Sequence, residues 1–359
     1  MTNRERVIQT LLCRATDRPP LVHWLGFCPW GETQARWVRE SGLADLDIGR
    51  YFELEPFGHV APLEYGPYPG FEQRVIREDA DFVYSLDWRG IVRRDRRDGG
   101  SMPEWISHPV TTPAEWERYK AERLQPNLDA RTARIDVWLK EIAPVDALLQ
   151  VGVFPWGVFG TTRDLLGAEG ILLAFYDEPD MVRDIMETHV SLWLALFERV
   201  AQRAQIDHIH IWEDMSGRNG SLISRTMLES FMMPQYDRIA AFARQHHVPL
   251  ISVDSDGDLS LLVPVMMRHG INVFFPFEVQ AGCDIERYRE QYPALGLLGG
   301  LDKNALAADK PAMHRELDRA ERMLARGGYI AGFDHLIPPN VPWANYLYFM
   351  RNLQRLMGR

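Results

Sequence analysis

Leu250-Ile251-Ser252-Val253-Asp254-Ser255-Asp256-Gly257-Asp258 passes from an apolar run straight into three carboxylates, and a helical pattern opens directly afterwards at Leu259. The apolar run predicts a buried strand, and the acids then stand at its carboxyl end. Like charges crowded together repel and raise one another's pKa, so a cluster of this kind normally surrounds a cation, a proton or a cationic substrate group. Asp258 reads as the cap of the helix that follows. Asp254 and Asp256, two residues apart on one side of an extended segment, read as functional.

The same rhythm runs outward in both directions. Strands are predicted at residues 147–153, 208–212, 250–253, 271–275, 295–298 and 329–331, with helical patterns between them. Ahead of these, an amphipathic helix over residues 4–14 is broken by Asp17-Arg18-Pro19-Pro20 and followed by an apolar strand over 21–26. Strands alternating with helices indicate βαβ units and a parallel sheet. No dinucleotide-type glycine turn and no P-loop interrupts the pattern, so the expected fold is α/β, a (β/α)8 TIM barrel with an N-terminal helical segment. Between about residues 51 and 116 the chain is rich in Pro, Gly and aromatic residues and alternates over 82–88 and 90–94. That stretch predicts a small antiparallel insertion within one domain spanning 1–359.

A chain of 359 residues with 46% hydrophobic and 25% charged side chains can bury a large core, and its net charge of -10 argues against a nucleic-acid partner. Arg93-Arg94-Asp95-Arg96-Arg97-Asp98 is interrupted by acids and followed by Gly99-Gly100, so it reads as a solvated hairpin tip. The first residues mix charge with apolar positions at helical spacing and do not form a signal peptide. No apolar run approaches a membrane span. Cys13, Cys28 and Cys283 lack metal-ligand spacing and are odd in number, which predicts free thiols in a reducing cytoplasm. The expected partner is a small-molecule substrate, and a homodimer is compatible with the composition.

Barrel enzymes carry their chemistry on the loops that leave the carboxyl ends of the strands. Here those ends deliver Trp212, Glu213 and Asp214, then Asp254 and Asp256, then Glu278, then Asp302 and Lys303, and finally Asp334 and His335. Five consecutive strands thus send acids to one rim, which predicts a polar or metal-binding pocket. Glu213, Glu278 and Asp302 are the candidate catalytic acids. Of the neighbours Glu213 and Asp214 only one can face the pocket, and Glu213 is expected to be that one. Trp24, Phe27, Trp212 and Phe333 are candidate substrate-binding aromatics. His208 and His210 alternate with apolar residues inside a strand and read as interior histidines.

Several segments together resemble the uroporphyrinogen decarboxylase superfamily. They are Met1-Thr2-Asn3-Arg4-Glu5-Arg6-Val7 with Asp17-Arg18-Pro19-Pro20, Glu213-Asp214-Met215 leading to Gly220-Ser221-Leu222-Ile223-Ser224, and the acidic segment 254–258. Further along come Gly299-Gly300-Leu301-Asp302, Gly327-Gly328-Tyr329-Ile330 and Pro338-Pro339-Asn340-Val341-Pro342. The resemblance implies a (β/α)8 barrel and one of two activities: decarboxylation of a porphyrinogen, or methyl transfer between a corrinoid protein and a thiol, amine or ether.

The decarboxylase branch carries an arginine-rich segment soon after the first strand, whereas this chain has Trp24-Leu25-Gly26-Phe27-Cys28-Pro29-Trp30-Gly31 there and no arginine before Arg36. A polycarboxylate would also meet an acidic rim. The methyltransferase branch holds zinc through a His-x-Cys-Gly segment at the strand end corresponding to Asp254 and a later Cys; those positions fall on Asp254, Asp256 and His335. The resemblance therefore implies a divalent metal, zinc first, on these three residues, with Glu213 or Glu278 completing the set. It also implies metal-assisted methyl transfer between a small methylated substrate and a corrinoid carried by a partner protein. The competing expectations are a carboxy-lyase in which the acids move protons, and a non-catalytic tetrapyrrole- or corrinoid-binding protein.

Overall fold

Apolar and β-branched runs such as His208–Trp212 and Leu250–Asp254 are buried along almost their whole length, as strands covered on both faces must be. In the computed structural model, which describes residues 1–97 and 102–359, seven such strands form one curled parallel sheet. They are β1 (Gly58–Val60), β2 (Leu148–Val151), β3 (His208–Trp212), β4 (Leu250–Asp254), β5 (Val273–Phe275), β6 (Gly296–Leu298) and β7 (Tyr329–Ile330). Their spatial order is their order in the chain, and every neighbouring pair is parallel. Such order follows when each connection climbs back over the same face of the sheet.

The short strand Val22–His23 pairs in parallel with Glu55–Pro56, just ahead of β1. The residues after it reach the other end of the sheet. Phe333 N–H donates to Gly26 O at 3.0 Å, and the Trp24 indole donates to Ala331 O at 3.1 Å. The first predicted strand is thus only two residues long and turns at Leu25–Phe27 into a 3-10 helix.

Helices cover the outside. Pro179–Ala201 places Met181, Ile185, Leu192, Leu196 and Val200 at helical spacing, and all five are buried. The N-terminal helix Asn3–Leu11 is closed by a reciprocal capping box between Thr2 and Glu5. No helix among the described residues is long and apolar enough to cross a membrane.

The antiparallel excursion is narrower than residues 51–116. It is a four-stranded meander of Arg74–Glu78, Phe82–Leu86, Val92–Arg96 and Glu104–Ser107. Residues 55–60 belong instead to the parallel system, and a helix begins at Pro113. Asp98, Gly99 and Gly100, which complete the expected hairpin tip, lie outside the described residues. The meander is pinned beside the carboxyl ends of the sheet: Trp88 meets Trp156 edge-to-face, and Arg89 bridges Asp87 and Asp164.

Candidate functional site

Asp254 is the last residue of β4, and its backbone pairs with Trp212 on one side and Phe275 on the other. Its side chain therefore stands at the carboxyl-end rim, half-buried, and makes no hydrogen bond or ion pair with the described residues. Burial, with Asp256 and Asp214 nearby, pushes its pKa well above the usual carboxylate range.

The chain turns tightly after Asp254. Buried Ser255 accepts the Met215 N–H at 3.1 Å, and Gly257, at φ +79°, lies so close to Ser216 O that a Cβ would sit 2.5 Å away. This turn presents Asp256 to His335, whose Nε2 lies 3.5 Å from Oδ2. Burial alone would lower the imidazole pKa, but the Asp256 hydrogen bond and charge outweigh it and the pKa rises. The ring also stacks on Trp30 at 5.9 Å. Asp258 accepts the Ser260 N–H at 2.8 Å and so closes a turn ahead of the helix Leu262–Arg268, whose N-cap position is Leu261.

Glu278 approaches from β5, accepting the Gly257 N–H at 3.0 Å, and its pKa is raised by burial and by Asp256. Lys303 lies 3.8 Å from Glu278 and 3.2 Å from Asp334. Asp334 is fully buried and also accepts the N–H groups of Val279 and Lys303, tying three loops together.

Two expected catalytic acids are placed elsewhere. Glu213 is fully buried and faces away from the mouth. Its carboxyl accepts the N–H groups of Val158, Phe159 and Gly160 at 3.0, 2.7 and 3.1 Å, at the start of the helix Val158–Leu166, and the hydroxyl of Tyr236. A helix N-terminus suits an acid, yet burial dominates and pushes the pKa up to about 7. Asp214 takes the mouth position in its stead. Its backbone is left-handed at φ +43°, and its carboxylate lies 3.0 Å from Arg163. Burial raises its pKa, Arg163 opposes that, and Asp256 adds to it. Asp302 caps the 3-10 turn Lys303–Leu306 by accepting the Asn304 N–H at 2.9 Å.

Three of the four candidate aromatics are core side chains. Phe27 and Phe333 are fully buried against each other, and Trp24 plugs the interior edge-on to Phe275. Only Trp212 reaches the rim. His208 and His210 are interior, as their alternation predicts, and both share Ser252 Oγ, at 2.7 and 3.2 Å. The three cysteines are free thiols.

Metal–nitrogen and metal–oxygen bonds of about 2.0–2.2 Å at tetrahedral angles separate two ligands by about 3.3 Å. The Asp256–His335 pair, at 3.5 Å, meets that spacing. Among the described residues no third His, Cys, Asp or Glu joins them as a ready-made ligand group.

A family model for uroporphyrinogen decarboxylase (URO-D) matches residues 96–356. The chain belongs to the URO-D family. No curated protein matches the sequence. Among solved structures, a methyltransferase from Methanosarcina mazei is similar in fold, with a TM-score of 0.62 and 15% identity, over 100% of this chain and 98% of that one. The URO-D assignment covers every rim residue described above.

Proposed function

We propose that this URO-D family member transfers a methyl group from a small neutral or cationic methylated substrate to a corrinoid carried by a separate protein. The observation that supports it is the make-up of the rim, where carboxyl groups crowd together and raise one another's pKa. Asp214, Asp254, Asp256 and Glu278 gather there, while Arg163 and Lys303 already face carboxylates at 3.0 and 3.2 Å. The acid arms of a porphyrinogen need free guanidinium groups, and an uncompensated like charge at a binding site costs several kcal/mol. A neutral ether or a methylated ammonium meets no such penalty.

Breaking a methyl–oxygen or methyl–nitrogen bond leaves an electron pair on the heteroatom, which must be stabilised as the methyl group departs. Asp254, without a partner among the described residues, and His335, held by Asp256, are the groups that would face that atom and give a proton to its electron pair as the methyl group leaves. A reduced corrinoid supplies the nucleophile that accepts the methyl group. The spacing of Asp256 and His335 suits two ligands of a divalent ion, which would supply Lewis acidity at the leaving atom, but no third ligand is grouped with them among the described residues and the reading does not depend on a metal. The pairing of Val22–His23 with Glu55–Pro56, just ahead of β1, and the contacts of Trp24 and Gly26 with Ala331 and Phe333, just after β7, support closure into a (β/α)8 barrel with residues 22–26 as the eighth strand.

The test incubates the purified protein with reduced cobalamin and a panel of methylated ethers and amines, and follows methylcobalamin by its absorbance. Substrate-dependent methylation that Asp254→Asn abolishes is the expected result. Decarboxylation of uroporphyrinogen with no methylation overturns it.

A further inference from the structure

Three aromatic side chains surround one hollow beside the acidic rim. Phe154, 62% exposed, lies in the loop after β2; Trp105, 45% exposed, is on the last strand of the meander; Trp212 ends β3. Apolar area left in water forgoes about 25 cal/mol per Å², so large rings grouped on a concave surface mark a place where something binds. Phe154 and Trp212 meet edge-to-face with centroids 4.6 Å apart, and the Arg163 guanidinium lies 4.9 Å from the Trp212 ring centre. The cleft between the meander and the helix Val158–Leu166 has a volume of about 770 Å³, within the range of pockets for small molecules.

The lining excludes anions. Its two guanidinium groups, Arg89 and Arg163, are bound to Asp164 and Asp214; Glu104 is paired with Arg94, and Glu169 adds a further negative charge. Asp214 belongs to this lining and also interacts electrostatically with Asp256 and His335, so it is the residue that the cleft and the acid cluster share.

We infer that this cleft binds a planar aromatic ring, uncharged or positively charged, among Trp105, Phe154 and Trp212, with the polar edge of the ring towards Asp214. A ring held there is the non-reacting body of a substrate whose methylated end reaches Asp254. That last clause alone rests on the proposed function.

Calorimetric titration of the full chain with 1,2-dimethoxybenzene, 3,4-dimethoxybenzoate and 1,2-dimethoxyethane tests the site. The uncharged aromatic binds most tightly, and Phe154→Ala and Trp105→Ala each weaken it about tenfold, the loss expected for one aromatic contact. Both side chains are largely exposed, and thermal melts of the variants check that folding is unchanged; Trp105→Phe retains most of the affinity. Equal binding of the aliphatic ether, tighter binding of the benzoate, or unchanged affinity in both alanine variants overturns the inference. Aromatic binding without corrinoid methylation removes the methyl-transfer reading and leaves the cleft standing. Methylation from dimethoxyethane with no aromatic binding does the reverse.

Discussion

Glu213 is sealed between a helix N-terminus and the Tyr236 hydroxyl, with its pKa raised from 4.5 to about 7. The folded protein therefore holds this proton more tightly than the unfolded chain. The resulting stabilisation is complete below about 4.5 and is lost as the pH climbs through 7, up to about 3 kcal/mol in all. Glu213→Gln removes the titration. The melting-temperature difference between wild type and variant should shift with pH between 5 and 8, the variant gaining on the wild type as the pH rises, and a constant difference would show that Glu213 does not titrate there. Only one of Glu213 and Asp214 does face the mouth, although the strand ends at Trp212 and Asp214 is left-handed, so simple alternation does not set the outcome. Which one does was not legible, because it depends on a left-handed turn at Asp214 and on a helix start 55 residues earlier in the chain. The acids Asp254, Asp256 and Glu278 were legible because each follows an apolar strand. Asp302 follows one as well, and a cap and a catalytic acid are the same residue type in the same place.

At the scale of elements, the helix Val158–Leu166 and β3 approach so closely at Gly157 that a Cβ there would lie 1.7 Å from Trp212 O and 2.9 Å from a Glu213 carboxyl oxygen. Gly157→Ala must push the helix start off the strand end, disturbing both Glu213 and the Trp212 wall of the cleft. Urea denaturation should show a loss of at least about 2 kcal/mol. Gly31→Ala is the control: it begins the helix Gly31–Ser41 in open space and should change stability by less than about 1 kcal/mol. A loss at Gly157 no larger than at Gly31 would show that the two elements can separate freely. The β/α alternation from residue 147 onward was legible from apolar runs and turn residues. The two-residue strand Val22–His23 and the split pairing over 55–60 were not, because their lengths are set by contacts with both ends of the sheet and not by local periodicity. Trp24, Phe27 and Phe333 likewise look like a pocket wall in sequence, but the same strand-end aromatics fill the interior once the sheet curls.

At the scale of the whole molecule, the net charge of -10 and the acidic rim act on a ligand in the same direction. Of the cations near the rim, Arg163 and Lys303 are engaged by Asp214, Glu278 and Asp334, and Arg218, exposed on the hairpin packed against Gly257, and His335 are left to set against the four acids. Added salt screens repulsion as well as attraction, so the salt dependence of binding reports the sign of the interaction. Uroporphyrin, with its eight carboxylates, should bind weakly at low ionic strength and somewhat better as salt is raised; a cationic methylated amine should show the opposite trend. A fluorescence titration of the porphyrin at about 20 mM and about 300 mM salt, bracketing Debye lengths above and below 10 Å, is the decisive measurement. Tight porphyrin binding that weakens with salt would require free guanidinium groups at the mouth. It would replace methyl transfer with porphyrinogen decarboxylation as the proposed activity.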